Sequence, residues 1–270
     1  MLQLAWAQHH LLGFDPIWCD RRAVNPAFTH WDILSSSAPT LPKGALILHL
    51  AGVLRGGPST LCDNASMALR VCDAAKAAGV RHVFFASSAA VYGRGLGDLS
   101  EGQTPNPVSD YGRAKQDMER QVLQWSHKSG AGSPGVTCLR IGNIVGADQL
   151  IGQSVAGRPI QLDAVPGHTG GPLRSYIGPR ALAFVLATLI CKAGRGDRLP
   201  RILNVASAQP VFMADLLAAA GLPFYFCAEN RQAIDRVTLS TEWLAKLVPV
   251  NAATPAEMIS DWQNLMALAS

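Results

Sequence analysis

No two of the six cysteines stand closer than ten residues apart, and no Cys-x-x-Cys occurs. That spacing excludes a zinc ribbon or a dithiol redox motif, and a chain of 270 residues needs no disulfide staples. Reduced, mostly buried thiols in a cytoplasmic protein are the expectation. Charged residues are scarce, at 16%. The net charge of +4 comes from scattered side chains, which argues against a nucleic-acid partner. The most apolar run, Ala181–Cys191, falls well short of a bilayer span, so no membrane partner is expected. Nothing at the N-terminus reads as a basic region, apolar core and small-residue cleavage site, so no secretory signal is expected. No repeat or low-complexity tract is present. Hydrophobic residues reach 49%, enough for a sizeable core and too many for a disordered chain.

Short apolar runs alternate with helical patterns, the signature of βα units around a parallel sheet. Leu2–Leu12 reads as a helix stopped by Gly13, and Phe14–Cys19 as a strand ending at Asp20. Trp31–Leu34 is a short strand, and Ala45–Leu50 a strand buried on both faces. Ser59–Ala78 is one long helix closed by Gly79, and Val80–Ala86 the next buried strand. Asp110 stands at an N-cap position, with a helix running to about Ser129. Val136–Ile141 is a further strand. After Gly146 the chain becomes rich in Gly and Pro. Helices then follow at Arg180–Lys192, Met213–Ala220 and Thr254–Ala269, with a strand at Ile202–Ala206. The expected division is a dinucleotide-binding domain over 1–146. A small lobe over 147–270 follows, with a helix and strand returning to the sheet.

Tyr111-Gly-Arg-Ala-Lys115 places a phenol and an ammonium at i and i+4 of one helix, hence on one face. A nearby cation favours phenolate and lowers the phenol's titration, which suits a proton carrier for an alcohol hydroxyl. The competing reading is a solvated helix face. The strand Val80–Ala86 runs into Ser87-Ser88, so Ser88 falls at the C-terminal end of a parallel strand, where doubly wound sheets bind ligands. A turn or helix cap is the plainer role for that serine.

Ser87–Gly93, then Glu101-x-x-x-Pro105-x-Pro107, then Tyr111–Lys115 resemble the extended short-chain dehydrogenase/reductase family. Within it they resemble the NAD-dependent epimerase/dehydratase branch typified by UDP-galactose 4-epimerase. His49-Leu50-Ala51-Gly52 is similar to the loop passing under the cofactor, and Asn64 to an asparagine beside it. Leu139-Arg-Ile-Gly142-Asn143-Ile-Val-Gly146 is similar to the turn beside nicotinamide and sugar. Arg174-Ser-Tyr-Ile177 is similar to a segment whose arginine meets nucleotide phosphates, and Asn204–Ser207 to a small strand of the substrate lobe. The resemblance spans about Leu4 to Ala220.

It implies an α/β Rossmann-type doubly wound sheet with a small C-terminal substrate lobe. It implies catalytic Ser88, Tyr111 and Lys115, and cofactor contacts from Asp20, Arg21, Asp32, Ile33, Leu50, Ala51, Gly52, Asn64, Tyr111, Lys115 and Gly142. Substrate contacts fall to Ser88, Asn143 and Arg174, and no metal is implied. The reaction expected is NAD(P)-dependent oxidoreduction or epimerisation at a hydroxyl-bearing carbon of a sugar or nucleotide sugar. A non-catalytic dinucleotide sensor on the same fold is the alternative. Helices Ser59–Ala78 and Asp110–Ser129 are those the family pairs in a homodimer.

A carboxylate such as Asp20 at the end of the second strand accepts ribose hydroxyls and repels a 2′-phosphate, which favours NAD over NADP; the alternative is a 2′-phosphate held by Arg21 or Arg22, which follow directly. Asp32 reads equally well as a strand-end turn residue, and Arg174 as a solvated loop arginine. The family opens with a strand and a Gly-x-x-Gly-x-x-Gly turn that seats pyrophosphate on a helix N-terminus. That pattern is absent here. A start assigned too far downstream is the favoured explanation, a truncated relative the other. The family's dehydratases carry an acid beside the position of Ser88. Here Ala89 and Ala90 follow, so epimerase or plain dehydrogenase/reductase chemistry is expected rather than loss of water.

Overall fold

The computed structural model describes residues 1–9, 15–22, 27–95, 97–152, 154, 158–228 and 233–268, without the side chains of 8 and 9. In chain order the first elements are α1 (Leu2–His9), β1 (Cys19–Asp20), β2 (Thr29–His30) and β3 (Leu46–His49). α2 (Pro58–Leu61), α3 (Asp63–Ala78), β4 (His82–Ser88) and a 3₁₀ turn at Ala89–Val91 follow. Next come β5 (Asp98–Leu99), α4 (Asp110–Lys128), β6 (Gly135–Ile141) and β7 (Asn143–Ile144). β8 (Ile160–Leu162), β9 (Leu173–Arg174), β10 (Tyr176–Ile177), α5 (Pro179–Arg195) and β11 (Ile202–Val205) lead to shorter C-terminal elements.

The central sheet is parallel, in the order β11-β6-β4-β3. Its two faces follow from the two-residue period of β4. Val83 and Phe85 pack with Val71, Met118 and Val122 of α3 and α4. Phe84, between them, packs with Leu182, Leu186 and Leu189 of α5 and Leu203 of β11. Helices thus cover both faces, as expected for βα alternation, and the α/β Rossmann-type fold is confirmed. β11 lies in this main sheet, where the Asn204 side chain is fully buried.

Several boundaries move for local reasons. The expected single helix Ser59–Ala78 divides at Cys62 into α2 and α3, while Gly79 closes α3 in the left-handed region at φ 68°. Ser109, not Asp110, caps α4, because its hydroxyl accepts from Gly112 N. The strand expected at Trp31–Leu34 lies at Thr29–His30, since Asp32 draws the chain into a turn. Among the described residues of the strand expected from Phe14 to Asp20, only Cys19 and Asp20 pair with another strand; Phe14 and the expected stop at Gly13 lie outside the described residues. Of the thiols, Cys72 and Cys138 are buried, Cys191 and Cys227 intermediate, and Cys19 and Cys62 exposed, so "mostly buried" was too strong; all are free.

β3 is not fully buried: Leu46–Leu48 are half-buried, and among the described residues it stands at the edge of the sheet. Beside it opens a cleft of ≈ 1300 Å³ lined by Trp6, Trp18, Cys19, Ile47, Leu48 and His49, among others. The separate parallel pair β1–β2 borders the same cleft.

His49 and His82 are both buried, at 5% and 8% exposure. His82 Nε2 lies 3.0 Å from Thr137 Oγ1, whose own hydroxyl donates to Pro200 O. Burial lowers His49 to about 3 and His82 to about 4, against 6.5 for an exposed imidazole. Below pH 6.5 the unfolded chain binds protons that the folded chain refuses. Stability present above that pH is therefore lost as pH falls, by up to about 1.4 kcal/mol per pH unit per histidine. Urea midpoints are expected to drop between pH 7 and 5. A flat profile would show that these rings accept protons in place.

Candidate active site at the ends of β3, β4 and β6

The parallel register brings the C-terminal ends of three strands together. His49 pairs with Phe85, and Ser88 with Ile141. Residues 50–52, Ser88 and residues 142–143 therefore follow at one edge of the sheet. Helix α4 crosses that edge because its N-terminal turn has no side chain in the way. A Cβ on Gly112 would come within 2.5 Å of Ala90 O, so only glycine allows this approach. The residue before it, Tyr111, is thereby set against the turn that begins at Ser88.

Ser88 fills the capping role and stands beside the turn that Tyr111 faces. Its Oγ accepts from Ala90 N at 3.2 Å, capping the 3₁₀ turn. Burial pushes the Tyr111 phenol above its ordinary value, and the nearby Ser88 hydroxyl opposes the rise. The expected lowering by Lys115 is not what the structure shows. The ammonium donates to Ala86 O at 2.9 Å and stands 5.9 Å from the Tyr111 ring centroid. Lys115 is itself buried, and burial lowers it to about 8 despite the opposing pull of Glu119.

Lys115 also reaches the loop after β3. A Cβ on Gly52 would lie 2.9 Å from Asn64 Oδ1 and 3.1 Å from Lys115 Nζ. Asn64 holds this loop by accepting from Val53 N and donating to Val53 O. Leu50 and Ala51 are exposed above it. His49 is buried with no partner for its Nε2 among the described residues. The sequence reading passed over that unpaired nitrogen; an apolar strand ending in histidine was the available signal.

The remaining residues divide. Asp20 ends β1, and its carboxylate accepts from Arg22 N. Arg21 is exposed. Asp32 is the turn residue: it is held low by a bond from Ser35 and accepts from Leu34 N at 3.2 Å. Ile33 packs on the α3 side of the core and lines the cleft. Gly142 is glycine for packing, because a Cβ there would meet Ser175 O at 2.6 Å. Asn143 opens β7, paired with Tyr176, whose hydroxyl donates to Asp148 Oδ2 at 3.0 Å. Arg174 fits neither reading made from the sequence. It is neither free toward phosphates nor solvated, because it donates to the carbonyls of Leu173, Ile234 and Asp235. Asp98 and Glu101 are also engaged: Asp98 with Arg236 and Thr238, Glu101 with Asn204 N.

Among the described residues, no three His, Cys, Asp or Glu side chains gather to hold a metal, and no helix is long and apolar enough to cross a membrane.

Residues 41–162 match the model of the NAD dependent epimerase/dehydratase family. The chain is 30% identical over 166 residues to a UDP-glucose 4-epimerase of Corynebacterium glutamicum, covering 54% of this chain and 48% of that protein. It is 33% identical over 109 residues to a probable UDP-arabinose 4-epimerase of Oryza sativa subsp. japonica, covering 38% and 26% respectively. The chain thus spans about half or less of these curated relatives. Among solved structures, a Brucella ovis UDP-glucose 4-epimerase in complex with NAD superimposes with a TM-score of 0.78 at 19% identity, covering 97% of this chain and 94% of that one. MoeE5, solved with UDP-glucuronic acid and NAD, gives 0.75 at 19% identity, covering 99% and 96%. At these identities the likeness is one of fold. The resemblance to the epimerase/dehydratase branch drawn from Ser87–Lys115 is borne out.

Proposed function

We propose that the chain is an NAD-dependent enzyme that oxidises and reduces a hydroxyl-bearing carbon of a nucleotide sugar, with 4-epimerisation as the leading outcome. The observation that carries this reading is the close approach of α4 to the turn after β4, which gathers Ser88, Tyr111 and the buried Lys115 at the C-terminal edge of the sheet. The relatives named above support the substrate class and the cofactor.

The residues at this edge suit the nicotinamide end of a dinucleotide. Gly52 leaves open a space that a Cβ would fill, bounded by Asn64 and Lys115, and Lys115 offers donors to ribose hydroxyls. Asp20, a carboxylate acceptor at a strand end, suits the adenosine ribose. NAD, when bound, supplies the hydride acceptor and donor. Ser88 orients the substrate oxygen. Tyr111 Oη takes the hydroxyl proton as the carbon is oxidised and returns it on reduction. With Ala89 and Ala90 after Ser88, no acid stands there to protonate a departing hydroxyl. Self-association through α3 and α4, which pack side by side, is part of the proposal, as is a cytoplasmic location.

The test is incubation with millimolar NAD and UDP-glucose or UDP-galactose, followed by chromatography of the sugars and mass analysis. Interconversion of the two without a product 18 Da lighter, the mass of one water, is the expected result. Accumulation of the lighter product would overturn the assignment to epimerisation. The cofactor preference is checked by the same assay: Asp20→Ala should raise use of NADP relative to NAD, because the repulsion of the 2′-phosphate is gone. Wild type that already prefers NADP would refute that role for Asp20.

A further inference from the structure

Tyr111, Lys115 and Glu119 recur at four-residue intervals on α4, so they form one stripe down a single face of the helix. The first two belong to the proposed site. Glu119 does not touch it, yet it is buried, at 3% exposure. Its Oε1 accepts from Ser87 Oγ at 2.5 Å and from Arg140 Nε at 3.0 Å, and its Oε2 accepts from Arg140 Nη2 at 2.7 Å. Ser87 and Arg140 are register partners on β4 and β6. One carboxylate therefore pins the helix to a single rung of the sheet, directly before the rung that holds Ser88.

The guanidinium is itself held. It lies over the Tyr92 ring at 4.7 Å from the centroid, and the Tyr92 hydroxyl donates to Asn204 Oδ1. Asn204 in turn donates to Leu99 O and Ser240 O. Stability alone does not account for this arrangement. A buried ion pair gives up much of its attraction to desolvation, and apolar residues of similar volume serve as well or better. What the pair adds is direction: a helix resting only on apolar contacts can slide or rotate, whereas a bidentate carboxylate–guanidinium pair admits one placement.

We propose that Glu119, fixed by Arg140 and Ser87, is a positioning residue that sets the rotation and height of α4 so that Tyr111 meets Ser88. The proposal rests on the catalytic reading of Tyr111, but its test needs neither substrate nor cofactor.

The experiment places ¹³C at the Tyr Cζ position. The chain has four tyrosines, so four resonances are read, and Tyr111→Phe identifies the one that disappears. Two variants are compared with wild type: Glu119→Leu/Arg140→Met, which replaces the pair by apolar groups, and Ser87→Ala, which removes one tether. In the double variant, melting within a few degrees of wild type is expected, with the Tyr111 resonance displaced and its titration midpoint moved further up, because Ser88 no longer opposes the effect of burial. Ser87→Ala should move the same resonance by a smaller amount. A folded double variant whose Tyr111 resonance and midpoint stay at the wild-type values overturns the proposal. Where the double variant does not fold, Ser87→Ala decides alone: displacement supports the proposal and an unmoved resonance overturns it. A chain that lacks turnover but shows the displacement keeps the positioning role and loses the activity, so the two failures are distinguishable.

Discussion

Tyr111→Phe is expected to lower turnover by about 10²–10⁴-fold, the range for loss of a group that transfers a proton in the transition state. The substitution removes one oxygen from a side chain already packed against the 3₁₀ turn, and Gly112 keeps the helix in place, so the surroundings should not relax. Dinucleotide binding should therefore persist nearly unchanged. Lys115→Ala should impair both binding and turnover, because that ammonium ties α4 to Ala86 O and borders the space over Gly52. Steady-state rates and calorimetric titration with NAD separate the two patterns. A Tyr111→Phe protein within about threefold of wild type, set against that 10²–10⁴ range, would show that another group carries the proton.

The largest expected loss of stability comes from Arg140→Ala. Both partners of the pair are nearly inaccessible, with side-chain exposures of 2% for Arg140 and 4% for Glu119. Burial disfavours the guanidinium charge, yet the hydrogen bonds and charge of Glu119 outweigh it and hold Arg140 above its ordinary range. Removing the cation leaves a carboxylate in the core with only Ser87 to satisfy it, and breaking such a pair typically costs about 3–5 kcal/mol. Truncation also removes the surface on which the Tyr92 ring rests. Urea denaturation at neutral pH reads the effect. A loss below about 1 kcal/mol would mean that water or a rearranged side chain reaches Glu119, and the pair would not be the buried anchor described here.

Legibility differed between the fold and the site. Runs such as VRHVFFA and VTCLRI announce buried parallel strands, because a strand covered by helices on both sides tolerates few polar residues. Gly79 announces the end of α3 because it can take the left-handed cap without strain. The pair Tyr111 and Lys115 shows in the spacing alone. Glu119 repeats that spacing four residues on and went unread, because a glutamate on an amphipathic helix is ordinarily solvated. Arg174 misled for the converse reason: a loop arginine looks available, and nothing in its neighbours tells that three backbone carbonyls, two of them some sixty residues away, will occupy it.

The residues themselves were enough for the α/β class, the order of the strands along the chain, the helix that carries the phenol and the ammonium, and the serine that ends β4. These depend on period and on local conformational preference, which act over a few residues. Tertiary structure alone decided that β3, among the described residues, is an edge beside an open cleft, and that Lys115 turns to Ala86 O instead of the phenol. It also decided that Ser87, Glu119 and Arg140 close on one another. Each of these is a pairing between distant segments, set by which edges and faces meet when the core excludes water, and no local preference encodes which partner a buried charge will find.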